Sequence, residues 1–260
     1  MKTRTTAWLA AAALMLGAAV VHAKDYKKLR IGVEGAYPPF SEVTPDGKLQ
    51  GFDIDIAMAL CAEIGAECSL VQQDWDGIIP ALLARKYDAI IASMSITEER
   101  KKKVAFTDKY YNTPAKFARR KGSGIEIDPA SMKGKAVGVQ RATTHDNFIT
   151  ATYGDAVEVK RYASQDEAYL DAVAGRVDLL LADSVAMSDG FLKTDNGKDW
   201  EFVGPDFVDP KFFGEGAGIA VRKDDPELVE LFNKAIATIR ANGKYKEIND
   251  KYFPFDVFGN

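Results

Sequence analysis

The sequence predicts an α/β protein built as two similar lobes. Short apolar runs alternate with longer runs whose apolar residues recur at helical spacing, the pattern of βαβ units and mainly parallel sheets. One such unit occurs twice. Ala84-Arg-Lys-Tyr-Asp-Ala-Ile-Ile-Ala-Ser93 and Ala174-Gly-Arg-Val-Asp-Leu-Leu-Leu-Ala-Asp183 are each a helix end, a turn and an apolar strand, ninety residues apart. The length, 260 residues, is room for one large domain or two small ones, and 47% hydrophobic residues supply a core.

The elements follow in order. Lys2 and Arg4 precede fifteen uncharged residues, Ala7 to Val21, and Val21-His22-Ala23 is a small-x-small cleavage site. Residues 1–23 thus read as a cleaved signal peptide. Fifteen residues fall short of the roughly 20 needed to span a bilayer. Leu29 to Val33 is a strand. Gly51 to Leu60 is helical, within an apolar-periodic run from Phe52 to Ile64 that Gly65 ends, and Cys68 to Val71 is the next strand. Export makes a Cys61–Cys68 disulfide the expectation, stapling helix end to strand and contributing roughly 2–3 kcal/mol by chain entropy; a reactive thiol is the sharper alternative. Ile78 to Ala84 is a second helix and Ala89 to Ala92 a buried strand. Near the end, Asp225-Pro226 reads as an N-cap with proline at the first helical position, Leu228 to Ala241 is amphipathic, and Asn242-Gly243 stops it.

Charge and composition exclude several functions. The formal charge is −4, against a basic nucleic-acid binder. Loss of Lys2 and Arg4 leaves 32 basic against 38 acidic residues, net −6, and loss of His22 leaves His145 alone. No multi-histidine metal site and no triad needing a second histidine can be built, and no Gly-rich phosphate loop is present.

Several residues are costly unless something binds beside them. In Ser93-Met-Ser-Ile-Thr-Glu-Glu-Arg100, Thr97 is a good N-cap and Glu98-Glu99 suit a first turn, but Arg100 opposes the helix dipole. A carboxylate docked at Ser95 and Arg100 resolves that conflict; an exposed arginine heading the run Arg100–Lys103 is the plainer reading. In Gly138-Val-Gln-Arg-Ala-Thr-Thr-His145, Thr143 or Thr144 caps a helix whose free N–H groups attract anions. Glu34 and Tyr37 follow the first strand, and Trp75 stands at a similar exit. Aromatic faces with carboxylates suit a flat or cationic ligand, although such aromatics also pack under loops. Ser93 and Asp183 take the same place in the repeated unit, just past a strand's C-terminal end, where open α/β folds bind ligands. Together these groups complement a zwitterion carrying an extra positive charge, and no nucleophile–base pair accompanies them.

At this point the chain resembles a known family. Arg30-Ile-Gly-Val-Glu-Gly-Ala-Tyr-Pro-Pro-Phe40, Gly51-Phe-Asp-Ile-Asp55, Trp75-Asp-Gly-Ile-Ile-Pro80, Ser93–Arg100, Phe106-Thr-Asp-Lys-Tyr-Tyr111, Lys133-Gly-Lys-Ala-Val-Gly-Val139, Phe213-Gly-Glu-Gly-Ala-Gly-Ile219 and Lys251-Tyr-Phe-Pro-Phe-Asp256 are similar to periplasmic solute-binding proteins of polar amino-acid ABC importers. The lysine/arginine/ornithine- and histidine-binding members, of arginine/ornithine type, are the most alike.

The resemblance implies a type II two-lobed binding-protein fold in the periplasm. Lobe one is expected at 24–112 plus 209–260 and lobe two at 114–207, with hinges near 112–114 and 207–209. Arg100, Ser95 and the Thr144 N–H are implied to grip the ligand carboxylate, with Thr143 alongside. Asp183 and the region of Ala92 and Ser93 hold the ammonium, Tyr37 and Trp75 sandwich the side chain, and Glu34 receives its cationic end. The cysteine pair matches a family disulfide. The implied partners are a cationic amino acid, an inner-membrane permease and a chemoreceptor, for a monomer without cofactor or metal. Relatives often carry Asp at the position of Glu34, Ser at that of Ala92 and Leu at that of Gln140, which is thereby expected to add a hydrogen-bonding group to the ligand site; some opine binders carry Glu with Ala before the Ser. Octopine-like ligands therefore stay open, as does an enzyme of the cyclohexadienyl dehydratase kind on the same fold.

Overall fold

The computed structural model describes residues 26–259, so the expected signal peptide lies outside the described residues. The chain begins with β1 (Lys28–Val33), a small antiparallel sheet of β2 (Ala36–Tyr37), β3 (Ser41–Val43) and β4 (Leu49–Gln50), then α1 (Phe52–Ile64), β5 (Glu67–Gln72), α2 (Trp75–Leu83), β6 (Ala89–Ile90), α3 (Glu98–Lys101) and β7 (Ala105–Tyr111). It then enters a second sheet through β8 (Ala115–Arg120), β9 (Ala136–Gln140), α4 (Thr144–Tyr153), β10 (Glu158–Tyr162), α5 (Gln165–Val173), β11 (Leu179–Asp183), α6 (Ser184–Met187), a π turn at Ser188–Leu192 and β12 (Trp200–Phe207). It returns through α7 (Pro210–Phe213) to β13 (Ala217–Val221), α8 (Pro226–Ala241) and α9 (Lys244–Tyr252).

The two five-stranded sheets have one plan. Their orders are β5-β1-β6-β13-β7 and β10-β9-β11-β8-β12. In each, the first three strands are parallel and the fourth is antiparallel to both its neighbours, so four strands share a direction. The sequence echo is the signature of this duplication. The Asp88 carboxylate accepts from the Arg30 N–H at 3.0 Å, and Asp178 accepts from the Ala136 N–H at 2.8 Å, each fixing the turn that feeds its third strand. Arg85 and Gly175, at matching places, both take positive φ. Gly32 and Gly138 also match; a Cβ on Gly32 would fall 2.5 Å from the Tyr87 ring, and one on Gly138 3.2 Å from Leu180.

Helix boundaries follow from side-chain chemistry. The helix expected at Ile78–Ala84 starts earlier, at Trp75, whose indole belongs to its buried face. The strand expected at Ala89–Ala92 pairs only through Ile90, because the chain turns at once into Ser93, which has φ 52°. Asp225 precedes α8 as expected, but its carboxylate does not cap the helix; it accepts from the Tyr26 hydroxyl at 2.5 Å instead. Gly65 closes α1 in the left-handed conformation, and the Cys61–Cys68 disulfide joins that helix end to β5, with the Cα atoms 6.1 Å apart.

Each lobe has its own apolar core. Phe40, Phe52, Leu60, Phe232 and Ile239 are buried in lobe one, and Phe117, Ile149, Leu181 and Phe191 in lobe two. Truncating one such aromatic costs ~3–5 kcal/mol. Between the cores runs a seam, and the strands' C-terminal ends open onto it.

Candidate functional site

The residues at the seam come from both lobes. Glu34, Tyr37, Trp75, Ala92, Ser93, Ser95 and Arg100 from the first, with Gln140, Thr143, Thr144 and His145 from the second, line a narrow slot of about 30 Å³. Tyr37, Ser93, Ser95, Thr144 and His145 also line an adjoining cavity of about 250 Å³, where Asp183 stands beside the crossover residues Asn112 and Thr113. Ten of the eleven ligand residues expected from the sequence thus meet in the slot, and Asp183 lies next door.

Local folding explains each placement. Thr97 caps α3, its hydroxyl accepting from the Arg100 N–H at 3.3 Å. This turns Arg100 back under Ser95, where its guanidinium donates to the Ser95 carbonyl at 3.0 Å and lies 5.1 Å from the Trp75 ring centre. Among the described residues Arg100 has no ion-pair partner. Burial pulls its pKa down, to about 10, so the group remains cationic at neutral pH. Thr143 is the cap of α4, accepting from the Asp146 N–H at 3.2 Å, which leaves the Thr144 N–H at the helix start. His145 is pushed down to about 3 by burial and then by the Arg100 charge, so it is neutral there.

Among the described residues, the acids Glu34 and Asp183 are buried without a cation beside them. Glu34 is 6% exposed. Its carboxylate accepts from Gln140 Nε2 at 2.5 Å, across the seam. The same nitrogen donates to the Ala163 carbonyl at 3.2 Å. Two facing acceptors fix the amide's orientation and leave its oxygen for another donor. Burial raises Glu34 to about 7, the Gln140 bond opposing it. Asp183 is 8% exposed. One oxygen accepts from the Val185 and Ala186 N–H groups at 2.9 and 3.0 Å, and the other from the Thr113 hydroxyl. Burial raises it to about 6.

Three supporting residues escaped the sequence reading. Asp53 is fully buried and accepts from Ser93 Oγ at 2.9 Å and Tyr110 Oη at 2.8 Å; the Tyr110 hydroxyl in turn accepts from the Ser93 N–H at 3.0 Å. This clamp holds Ser93 in its left-handed conformation. Asp53 was visible as a lone acid on the apolar face of α1. Tyr110 and Thr113 gave no such signal, because only the fold brings them to the site.

The sequence pattern of the bacterial extracellular solute-binding proteins, family 3, matches residues 29–255. The chain belongs to that family. Among family-3 relatives, the L-arginine-binding protein of Pseudomonas aeruginosa is 58% identical over 235 residues, covering 90% of this chain and 91% of that one. The lysine/arginine/ornithine-binding periplasmic protein of Escherichia coli is 43% identical, covering 89% and 90%. A solved Salmonella typhimurium periplasmic binding protein of high arginine specificity has a TM-score of 0.81 at 35% identity, covering 87% of this chain and 99% of that one. The fold is accordingly the two-lobed periplasmic binding-protein fold. These family-3 relatives are binding proteins.

Proposed function

We propose that the chain is the periplasmic binding component of an ABC importer for cationic L-amino acids, with arginine, ornithine and lysine as ligands. One observation carries the reading: the slot and the cavity beside it hold a guanidinium, Arg100, and two buried carboxylates, Glu34 in the slot and Asp183 next to it, none of them ion-paired among the described residues. A buried charge without a partner is costly. A cationic amino acid supplies all three missing countercharges, its carboxylate to Arg100, its ammonium to Asp183 and its side-chain cation to Glu34. The names of the relatives point the same way.

Ligand bridges the lobes and selects the closed form by contacts present only there. The crossovers at 112–114 and after Phe207 serve as the hinge, and a membrane permease reads the closed form. Calorimetry with arginine, ornithine, lysine and neutral citrulline tests the assignment. Tight binding of the cations with much weaker citrulline supports it; equal affinity for citrulline removes Glu34 from its role, and no binding of any cation sinks the reading.

A further inference from the structure

The duplication of the lobes also marks a residue outside the ligand slot. Trp75 opens α2, and its indole N–H donates across the seam to the Ala142 carbonyl at 3.2 Å. Gln165 opens α5, ninety positions later, at the matching place in lobe two. Ala142 stands 106 positions after Ala36, the offset that also relates Glu34 to Gln140. The mirror of the Trp75 bond is therefore one from Gln165 to the segment around Ala36.

That bond is not made. Gln165 is 2% exposed and Tyr169, one turn on, is 6% exposed; the Gln165 amide faces the Tyr169 hydroxyl, and neither Gln165 Nε2 nor the hydroxyl has a hydrogen bond of normal length. Among the described residues only three buried side-chain polar atoms are in this condition, and two of them lie on this face of α5. The face is packed against β2 of the other lobe. Pro38 of lobe one and Tyr169 both press on Gly190, where a Cβ would lie 3.2 Å from Pro38 and 3.7 Å from the Tyr169 ring. A buried donor without a well-placed acceptor is unfavourable, and the lobe-one segment packed against this helix is β2, Ala36–Tyr37.

We propose that Gln165, supported by Tyr169, is a positioning residue for ligand retention: when the lobes close on the ligand it donates to a backbone carbonyl of the Ala36–Pro38 segment, as the counterpart of Trp75. This rests on the cationic amino-acid reading. Gln165 lines neither the slot nor the adjoining cavity, so its loss acts on the closed state and not on any one ligand group.

The test is stopped-flow dissociation of arginine, ornithine and lysine from the wild type, Gln165→Met and Tyr169→Phe. Methionine keeps the length and flexibility of glutamine and removes the amide; phenylalanine removes one hydroxyl. The expected result for Gln165→Met is dissociation about tenfold faster for all three ligands, the scale of one hydrogen bond, with association unchanged. Tyr169→Phe gives a smaller change in the same direction. Unchanged dissociation in Gln165→Met, or a loss confined to one ligand, overturns the latch while leaving the functional reading intact. A wild type that binds none of the three overturns that reading and the latch with it.

Discussion

The two lobes share a plan but not a chemistry. Where their matching positions agree, the residues build the frame: Gly32 and Gly138 let a third-strand neighbour pack close, and Asp88 and Asp178 fix the same turn. Three matching pairs that differ face the seam. Glu34 meets Gln140, Ser93 answers Asp183, and Trp75 answers Gln165. A duplicated frame by itself would present a symmetric cleft. An amino acid with a charged side chain is asymmetric, so the difference between the lobes is the recognition.

The comparison predicts that frame and seam residues fail differently. The largest effect belongs to Arg100. Arg100→Ala leaves the ligand carboxylate desolvated and unpaired, so calorimetry should show affinity falling by about 2–5 kcal/mol for every amino acid tested. Asp183→Ala should cost more than ~2 kcal/mol for the same reason on the ammonium side. Near wild-type affinity in both would remove the two-ended grip. Next, Glu34→Gln should cost about 2 kcal/mol for arginine, ornithine and lysine and little for citrulline. An equal loss across the four would mean that Glu34 shapes the slot and does not read charge.

Gly32→Ala should do the reverse. Its Cβ would meet the Tyr87 ring at 2.5 Å, an overpacking that costs about 1–3 kcal/mol of stability. Thermal denaturation should register the loss, while the arginine affinity of the folded protein stays unchanged. A change in affinity without a change in stability would break the division between frame and seam.

The same division explains what was legible in the sequence. The frame is local: Gly65 ends α1, Thr97 caps α3, Thr143 caps α4, and the repeated helix–turn–strand unit carries its own hydrogen bonds. Two of the site's charged groups were legible from local rules: Arg100 follows two acids in the one-turn helix α3, and Asp183 takes the place of Ser93 in the repeated unit. Tyr110, Thr113 and Gln165 were not, because each is ordinary where it stands. Their meaning comes from partners 57, 70 or more residues away. Asp225 stands at the N-cap before Pro226 as expected, but its carboxylate is engaged elsewhere. The local rule placed the residue, and a tyrosine 199 residues distant took its carboxylate.

The smallest effect separates the lobes by pH. Glu34 in lobe one is raised to about 7 and Asp183 in lobe two to about 6, both mainly by burial. In the ligand-free protein the folded state therefore holds protons that the unfolded state has released. Stability falls as pH rises through that window, so the thermal midpoint should be higher near pH 5 than near pH 8, with buried Asp53, also raised to about 7, acting in the same sense. Ligand binding has the opposite sign. A ligand cation needs the carboxylate ionised, so each pH unit below the group's pKa costs up to about tenfold in affinity. Arginine should weaken in two steps as pH falls, the first at Glu34 and the second at Asp183. Citrulline, with no side-chain cation, should show only the second, and Glu34→Gln should remove the first step for arginine. A single step for arginine at the lower pH would mean that lobe one's acid is already ionised before the ligand arrives, and that recognition of the side chain rests on shape and hydrogen bonding at Gln140.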